Sequence, residues 1–376
     1  MVSRLVSKVA AVGCVALALA CASGAADKAT TPVQDPQVLR FAERAISWYP
    51  GSTVRIVESE SRQTPSGSYR LVTVERTCDK DYLSGTTPLL IDDLTGDVWI
   101  GSRGNLPTGD PAFNPAKLDR YVEGILPELL KQNMDLKVRV EWESGLRAGA
   151  LIPFVLRVDT GYGEYRKPAA VSADGKVLTL GARLPLGEDP VRFRRELLAG
   201  RKDVVWDHGK PEAKVELVEL SDFQCPGCKA KWTLIKKTLD EVGEVVRHGF
   251  VSFPLNTIHP WAFRAACAGH CVAEQRVDLL LPLKELFYSL QRDMSVGEVT
   301  PTAQDFVAAN GLDQARFDAC YLKTASLDGI HGQMTLGNRL GVTATPTYFV
   351  NGWLVQVPDE AWCTAMVRQL AAGEEP

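Results

Sequence analysis

The residues with the most distinctive chemistry are Cys225 and Cys228, in the run Cys225-Pro226-Gly227-Cys228. An apolar, alternating segment ends just before them and a helical pattern begins at them. In that setting the first sulfur meets unpaired backbone N–H groups and the positive end of a helix dipole, which both favour its thiolate. Cys225 is therefore the expected nucleophile. Cys228, one turn further on, reaches it to close a disulfide and resolves mixed disulfides from a shielded position. Pro226 suits a first helical turn, where its missing N–H is not needed. A pair of zinc ligands or an inert structural bridge would use the same spacing, and zinc would take further ligands from Cys267 with Cys271 or from a histidine. The strand-to-helix setting and an export signal favour redox chemistry over both.

Glu219 stands upstream of the pair and alternates with Val218 and Leu220, which turns it beneath the helix. Burial there would raise its pKa and let it exchange a proton with Cys228 as the disulfide opens. On periodicity alone it reads equally well as a solvated strand residue. Pro346, in Val342-Thr343-Ala344-Thr345-Pro346-Thr347-Tyr348-Phe349-Val350, opens a strand to which it cannot donate a ladder hydrogen bond, and most X-Pro bonds are trans. His248, His259, His270 and His331 have no metal-site spacing and read as structural, so neither a metal nor a cofactor is expected.

The elements that must position these residues follow from periodicity. A strand at Val215 to Leu220 leads into a helix running to about Glu241, and a second strand spans about Val245 to Phe253. Helical segments fill Trp261 to Leu340. Strands at Thr347 to Val350 and Leu354 to Val357 turn on Asn351-Gly352, and a helix runs from Glu360 to Ala372. Upstream, an internal repeat is expected. Val38-Leu39-Arg40-Phe41 is echoed by Lys117-Leu118-Asp119-Arg120, and Val54-Arg55-Ile56-Val57-Glu58 by Val138-Arg139-Val140-Glu141. Asp93-Leu94-Thr95-Gly96-Asp97-Val98-Trp99-Ile100-Gly101 is echoed by Ala173-Asp174-Gly175-Lys176-Val177-Leu178-Thr179-Leu180-Gly181. Each copy reads as helix, strand, strand, hairpin, although chance likeness among short strands would look similar.

Ser221-Asp222-Phe223-Gln224-Cys225-Pro226-Gly227-Cys228, taken with Gly341-Val342-Thr343-Ala344-Thr345-Pro346-Thr347-Tyr348-Phe349-Val350-Asn351-Gly352, resembles the DsbA family of disulfide oxidoreductases, including its DsbG-like and BdbD-like members. The resemblance covers roughly Asp207 to Ala372. It implies an α/β thioredoxin-like fold with an inserted helical domain, and a catalytic set of Cys225, Cys228 and Glu219. It also implies a cis bond before Pro346, with Thr345 and Pro346 binding substrate backbone as an added strand. A Cys271 to Cys320 disulfide is implied because some such proteins carry an extra pair in the insert. The N-terminal units are weakly similar to the dimerisation domain of DsbC and DsbG, so two tandem copies would pair within one chain. The expected organisation is a signal over 1–25, α+β repeats over 33–105 and 112–183, and a linker helix over 184–206. The catalytic domain then spans 207–376, with its insert at about 260–340.

With 45% hydrophobic and 23% charged residues among 376, the chain has an ordinary globular composition, and its length calls for two or three domains. A net charge of -4 without basic runs leaves no footprint for nucleic acid. Arg4 and Lys8 before the uncharged Val9 to Ala20 read as an export signal too short to span a bilayer. Cleavage after Ala18-Leu19-Ala20 and lipidation at Cys21 are both open. Nine cysteines, two of them in or beside that leader, leave an odd mature number in an oxidising compartment, periplasmic or otherwise extracytoplasmic. Expected partners are protein thiols or disulfides and a membrane redox partner of DsbB-like, VKOR-like or DsbD-like type. An isomerase or reductase of DsbC/DsbG type is the competing enzymatic reading, and a chaperone-like binding protein the non-catalytic one. Pro-Gly between the cysteines, where DsbA has Pro-His, implies a disulfide less oxidising than that of DsbA. Redox titration against glutathione measures this, and a potential as high as DsbA's would overturn it.

Overall fold

A computed structural model of the chain describes residues 33–78, 84–105, 137–142, 149–159, 161, 164–256, 258–357 and 359–375. The expected leader with Cys21, and the helix expected near Lys117, lie outside the described residues. Among the described residues no helix is long and apolar enough to cross a membrane.

The first helix, α1 (Pro36–Ala45), starts where Asp35 accepts hydrogen bonds from the N–H groups of Gln37 and Val38, at 2.8 and 3.2 Å, with Pro36 in the first turn. Its apolar face, Val38, Phe41, Ala42 and Ala45, packs with Ile56, Val72, Leu89 and Ile91 of the sheet that follows. That sheet is built from β1 (Thr53–Thr64), β2 (Gly67–Thr77), β3 (Gly85–Asp92), β4 (Asp97–Asn105), β5 (Lys137–Trp142), β6 (Leu151–Asp159), β7 (Glu164–Ser172) and β8 (Val177–Pro185). Its order is β1-β2-β3-β4-β8-β7-β6-β5, antiparallel throughout. Two four-stranded meanders thus meet through their last strands and share one sheet. At the centre of that seam Gly101 faces Gly181. A Cβ on Gly181 would lie 2.0 Å from the Ile100 carbonyl oxygen, and one on Gly101 2.2 Å from that of Leu180, so the seam closes only with glycine on both sides.

A second Asp-Pro junction opens α2 (Pro190–Leu198), where Asp189 accepts from the Val191 N–H at 2.9 Å and also pairs with Arg44 at 2.7 Å. The five-stranded sheet downstream contains β9 (Val205–His208), β10 (Val215–Ser221), β11 (Val246–Ser252), β12 (Thr347–Val350) and β13 (Trp353–Val355), in the order β13-β12-β10-β11-β9. Only β10 and β11 run parallel. The segment expected as a linker up to residue 206 therefore ends inside this sheet, because β9 begins at Val205. Asn351 and Gly352, with φ of 46° and 84°, make the tight turn between β12 and β13.

Alternation along β10 sorts the two faces. Val215 and Leu217 face α3 (Pro226–Val242) and the final helix, packing with Trp232, Ile235 and Met366. Val218 and Leu220 face the other way, against Leu198, Leu336 and Leu340. The insert comprises α4 (Ala262–Ala273), α5 (Leu280–Leu290), α6 (Val299–Ala309), α7 (Gln314–Cys320) and α8 (Thr324–Leu340), around Phe263, Phe287 and Phe317, and α9 (Glu360–Ala371) ends the chain. Helix α8 also joins the two sheets: the Asn338 side chain donates to the Arg166 carbonyl of β7 at 3.1 Å.

Cys271 and Cys320 are bonded across the insert, while Cys267 and Cys363 are buried thiols. Closing a loop of sequence separation 49 should stabilise the native state by about 4 kcal/mol on chain-entropy grounds. Cys320→Ser is expected to lose a stability of that order in urea denaturation. An unchanged midpoint would mean that the bond contributes nothing.

Candidate active site around Cys225 and Cys228

Cys225 is the N-cap of α3, in extended conformation, and Cys228 lies within the first turn. Both are thiols and both are buried. The loop carrying Cys225 is tied from several directions. Its N–H donates to the Asp222 carbonyl at 3.1 Å, and the Gln291 side chain donates to the carbonyls of both Phe223 and Cys225, at 2.9 and 3.1 Å. The Cys225 thiol lies 3.4 Å from the Thr345 carbonyl oxygen, and the Thr345–Pro346 peptide is cis. A Cβ on Gly227 would touch Pro346 Cδ at 3.4 Å and the Cys225 sulfur at 3.6 Å, so glycine leaves the approach between the sulfur and the 345–346 loop open.

The two sulfurs are displaced in opposite directions. Hydrogen bonding from the Cys228 thiol, helped by its backbone N–H, brings Cys225 down to about 6 against the upward push of burial. Cys228 is raised well above the ordinary thiol range, first by burial, then by the neighbouring Cys225 and by the charge of Glu219. Cys225 is thus the thiolate at neutral pH, and Cys228 holds its proton.

Glu219 sits on the face of β10 that carries Val215 and Leu217, fully buried, in a four-member ionic cluster. Lys284 Nζ of α5 lies 2.7 Å from its Oε2, and His248 Nε2 of β11 lies 3.4 Å from the same oxygen. His248 Nδ1 in turn lies 2.5 Å from Asp207 Oδ1 of β9, and all four side chains have no solvent exposure. The sequence led to a raised pKa for Glu219, and the cluster reverses that. Burial does push it upward, but the Lys284 charge and the His248 interaction carry it down to about 2. Glu219 is a permanent anion under Cys228. Burial alone would lower His248, and the Asp207 and Glu219 carboxylates lift it to about 9.

Two histidines read as structural from the sequence are therefore beside the chemistry. Alternation put His248 on the inward face of β11, and Lys284 stood alone in the apolar run Leu280-Leu281-Pro282-Leu283-Lys284; both were signals of a buried charge. His259 Nδ1 lies 2.7 Å from Oδ2 of Asp222, in the loop that leads to Cys225. The possible zinc set loses a member, since Cys271 is spent in the disulfide.

The thioredoxin family model matches residues 202–366. That region is a thioredoxin-like domain. It has the sheet just described, α3 and α9 on one face, and added helices between β11 and β12. Among curated proteins, the chain is similar to the Na(+)/H(+) antiporter NhaA 1 of Mycolicibacterium gilvum, 29% identical over 171 residues, covering 44% of this chain and 26% of that protein. It is also similar to the Na(+)/H(+) antiporter NhaA 3 of Salinispora tropica, 28% identical over 187 residues, covering 47% and 27%. The chain spans about a quarter of the length of these curated relatives. Among solved structures, α-DsbA1 of Wolbachia pipientis aligns at 19% identity with a TM-score of 0.42, over 48% of this chain and 96% of that one. Oxidised BdbD of Bacillus subtilis aligns at 21% and 0.40, over 46% and 100%. The catalytic domain of Proteus mirabilis ScsC aligns at 18% and 0.40, over 49% and 97%.

The ionic cluster of the thioredoxin-like domain has a pH signature. A histidine whose folded pKa is raised contributes stability that is complete below its unfolded value, near 6.5, and lost as pH rises through the folded value, about 9. Melting temperatures of the protein and of His248→Asn should therefore converge between pH 6.5 and 9. A constant difference across that window would show that His248 is not held as a cation.

Proposed function

We propose that this protein is an exported thiol:disulfide oxidoreductase that exchanges disulfides with protein substrates through Cys225 and Cys228, with no cofactor. The observation that carries this reading is the opposite displacement of the two thiols, one brought down to about 6 and the other raised. That division of labour fits an attacking and a resolving cysteine.

In the oxidising direction, a substrate thiolate attacks the Cys225 sulfur of the enzyme disulfide, and the Cys228 sulfur leaves with the electron pair and takes up a proton. A second substrate thiolate attacks the substrate sulfur of the mixed disulfide, expelling Cys225 as a thiolate. Two electrons have moved from the substrate dithiol to the enzyme. Run backwards, Cys225 attacks a substrate disulfide and Cys228 loses its proton to resolve it. Release without net electron flow is isomerisation. The Thr345 carbonyl and Pro346 form the rim on which substrate backbone would pair, and the open surface over Gly227 is where it would enter. The direction of net transfer rests with a membrane redox partner.

Glu219 supports this chemistry as a fixed negative charge beneath Cys228. By disfavouring a second thiolate it keeps attack on Cys225. The tandem-repeat reading of residues 33–105 and 112–183 draws support from the antiparallel seam at Gly101 and Gly181, which joins the last strands of the two meanders. Ion transport belongs to the antiporters in which the similar region is found, and the reading here is confined to disulfide exchange.

Cys225→Ala is expected to abolish insulin reduction and oxidative refolding of a reduced client, a loss of at least 100-fold on the scale of removing a covalent nucleophile. Suppression of client aggregation that persists in that variant, with no exchange activity in the native protein to lose, would replace the enzymatic reading with a holding function.

A further inference from the structure

Cys225 lacks a histidine inside its own motif, yet one from a different loop is held by Asp222, three residues before it. His259 lies in the segment between β11 and α4, with 13% of its side chain exposed. Its Nδ1 is 2.7 Å from Oδ2 of Asp222, whose side chain is fully buried. The same carboxylate oxygen accepts from the Leu255 N–H at 2.8 Å, and Oδ1 accepts from the Gln224 N–H at 2.7 Å. The Gln224 side-chain oxygen accepts from the Trp261 N–H at 2.8 Å. Residues on both sides of His259 are therefore bolted to Asp222 and Gln224, just before Cys225, and the Cys225 N–H itself donates to the Asp222 carbonyl. The imidazole is held on one nitrogen by a buried carboxylate, which fixes its orientation and favours its protonated form.

We infer that His259, oriented by Asp222, is the cationic positioning residue for the reactive sulfur of Cys225, doing from the β11–α4 loop what a histidine between the two cysteines would do. The inference deepens the oxidoreductase reading and rests on it. The physical sense is simple. Asp222 alone places a negative charge near a sulfur that must itself become negative, and raises its pKa. A protonated His259 on that carboxylate cancels the repulsion and adds attraction. Burial pulls His259 down, the hydrogen bond and charge of Asp222 lift it, and the charge of Cys225 lifts it further. The titratable groups facing the pair are Asp222 against His259, and Cys228 with Asp222 against Cys225.

Two measurements test this. The pH profile of Cys225 alkylation should have its midpoint at about 6 in the native protein. In His259→Gln, which keeps an N–H for Asp222 but carries no charge, the midpoint should rise, and the rate at pH 6 should fall roughly five-fold, as a one-unit rise in thiol pKa gives. A variant profile coinciding with the native one, with or without a lowered melting temperature, overturns the inference and leaves the oxidoreductase reading standing. A native midpoint at the ordinary thiol value sinks that reading instead. If His259→Gln does not fold, the reciprocal measurement decides. The NMR titration of His259 should move to lower pH in Cys225→Ser, and an unmoved titration overturns the inference.

Discussion

Two cations and two carboxylates with no access to water sit under the active helix, and the thioredoxin-like domain is organised around keeping them together. Lys284 comes from the inserted helices, Glu219 and His248 from the two parallel central strands, and Asp207 from the edge strand. Burying any one of these charges alone would cost several kcal/mol, so each element is held in register by the need to supply its partner. The insert is consequently more than a lid over the sheet. Its helix α5 brings the ammonium that neutralises the central carboxylate, and the same helix ends at Gln291, which grips the loop carrying Cys225.

That cluster also adds to the asymmetry of the sulfurs, whose larger causes are the burial of Cys228 and its hydrogen bond to Cys225. A carboxylate free to titrate under Cys228 would be neutral whenever burial won, and the two thiols would then differ only by burial, by the hydrogen bond between them and by their place on the helix. With Lys284 and His248 against it, Glu219 keeps its charge, and the penalty for a second anion falls on Cys228. Cys225, at the helix end and outside that field, takes the charge instead.

The strands and helices of this domain were legible because their periods are short and their boundaries carry turn chemistry, as at Asn351-Gly352. The candidate site was legible because two cysteines at a strand-to-helix junction have few other uses. The cluster was not, because it is assembled from residues far apart in sequence, and a pattern of period two says which face a side chain takes but not what it meets there. Glu219 shows the cost: periodicity left its burial open, its cations could not be read, and the sign of its shift followed the cations. His259 escaped for the same reason, since only the fold brings its loop to Asp222. In the N-terminal half, strand signals were read correctly at Asp93 to Gly101 and Ala173 to Gly181, but nothing local specified that β4 and β8 would pair with each other.

The glycine seam has a consequence for how the molecule behaves on dilution. Two sheet halves that met as separate polypeptides would part as their concentration fell. Here a continuous backbone holds them at a local concentration of order millimolar or more, whatever the number of molecules in the compartment. The eight-stranded platform, and the α8 contact that rests on it, therefore persists in a single molecule acting alone.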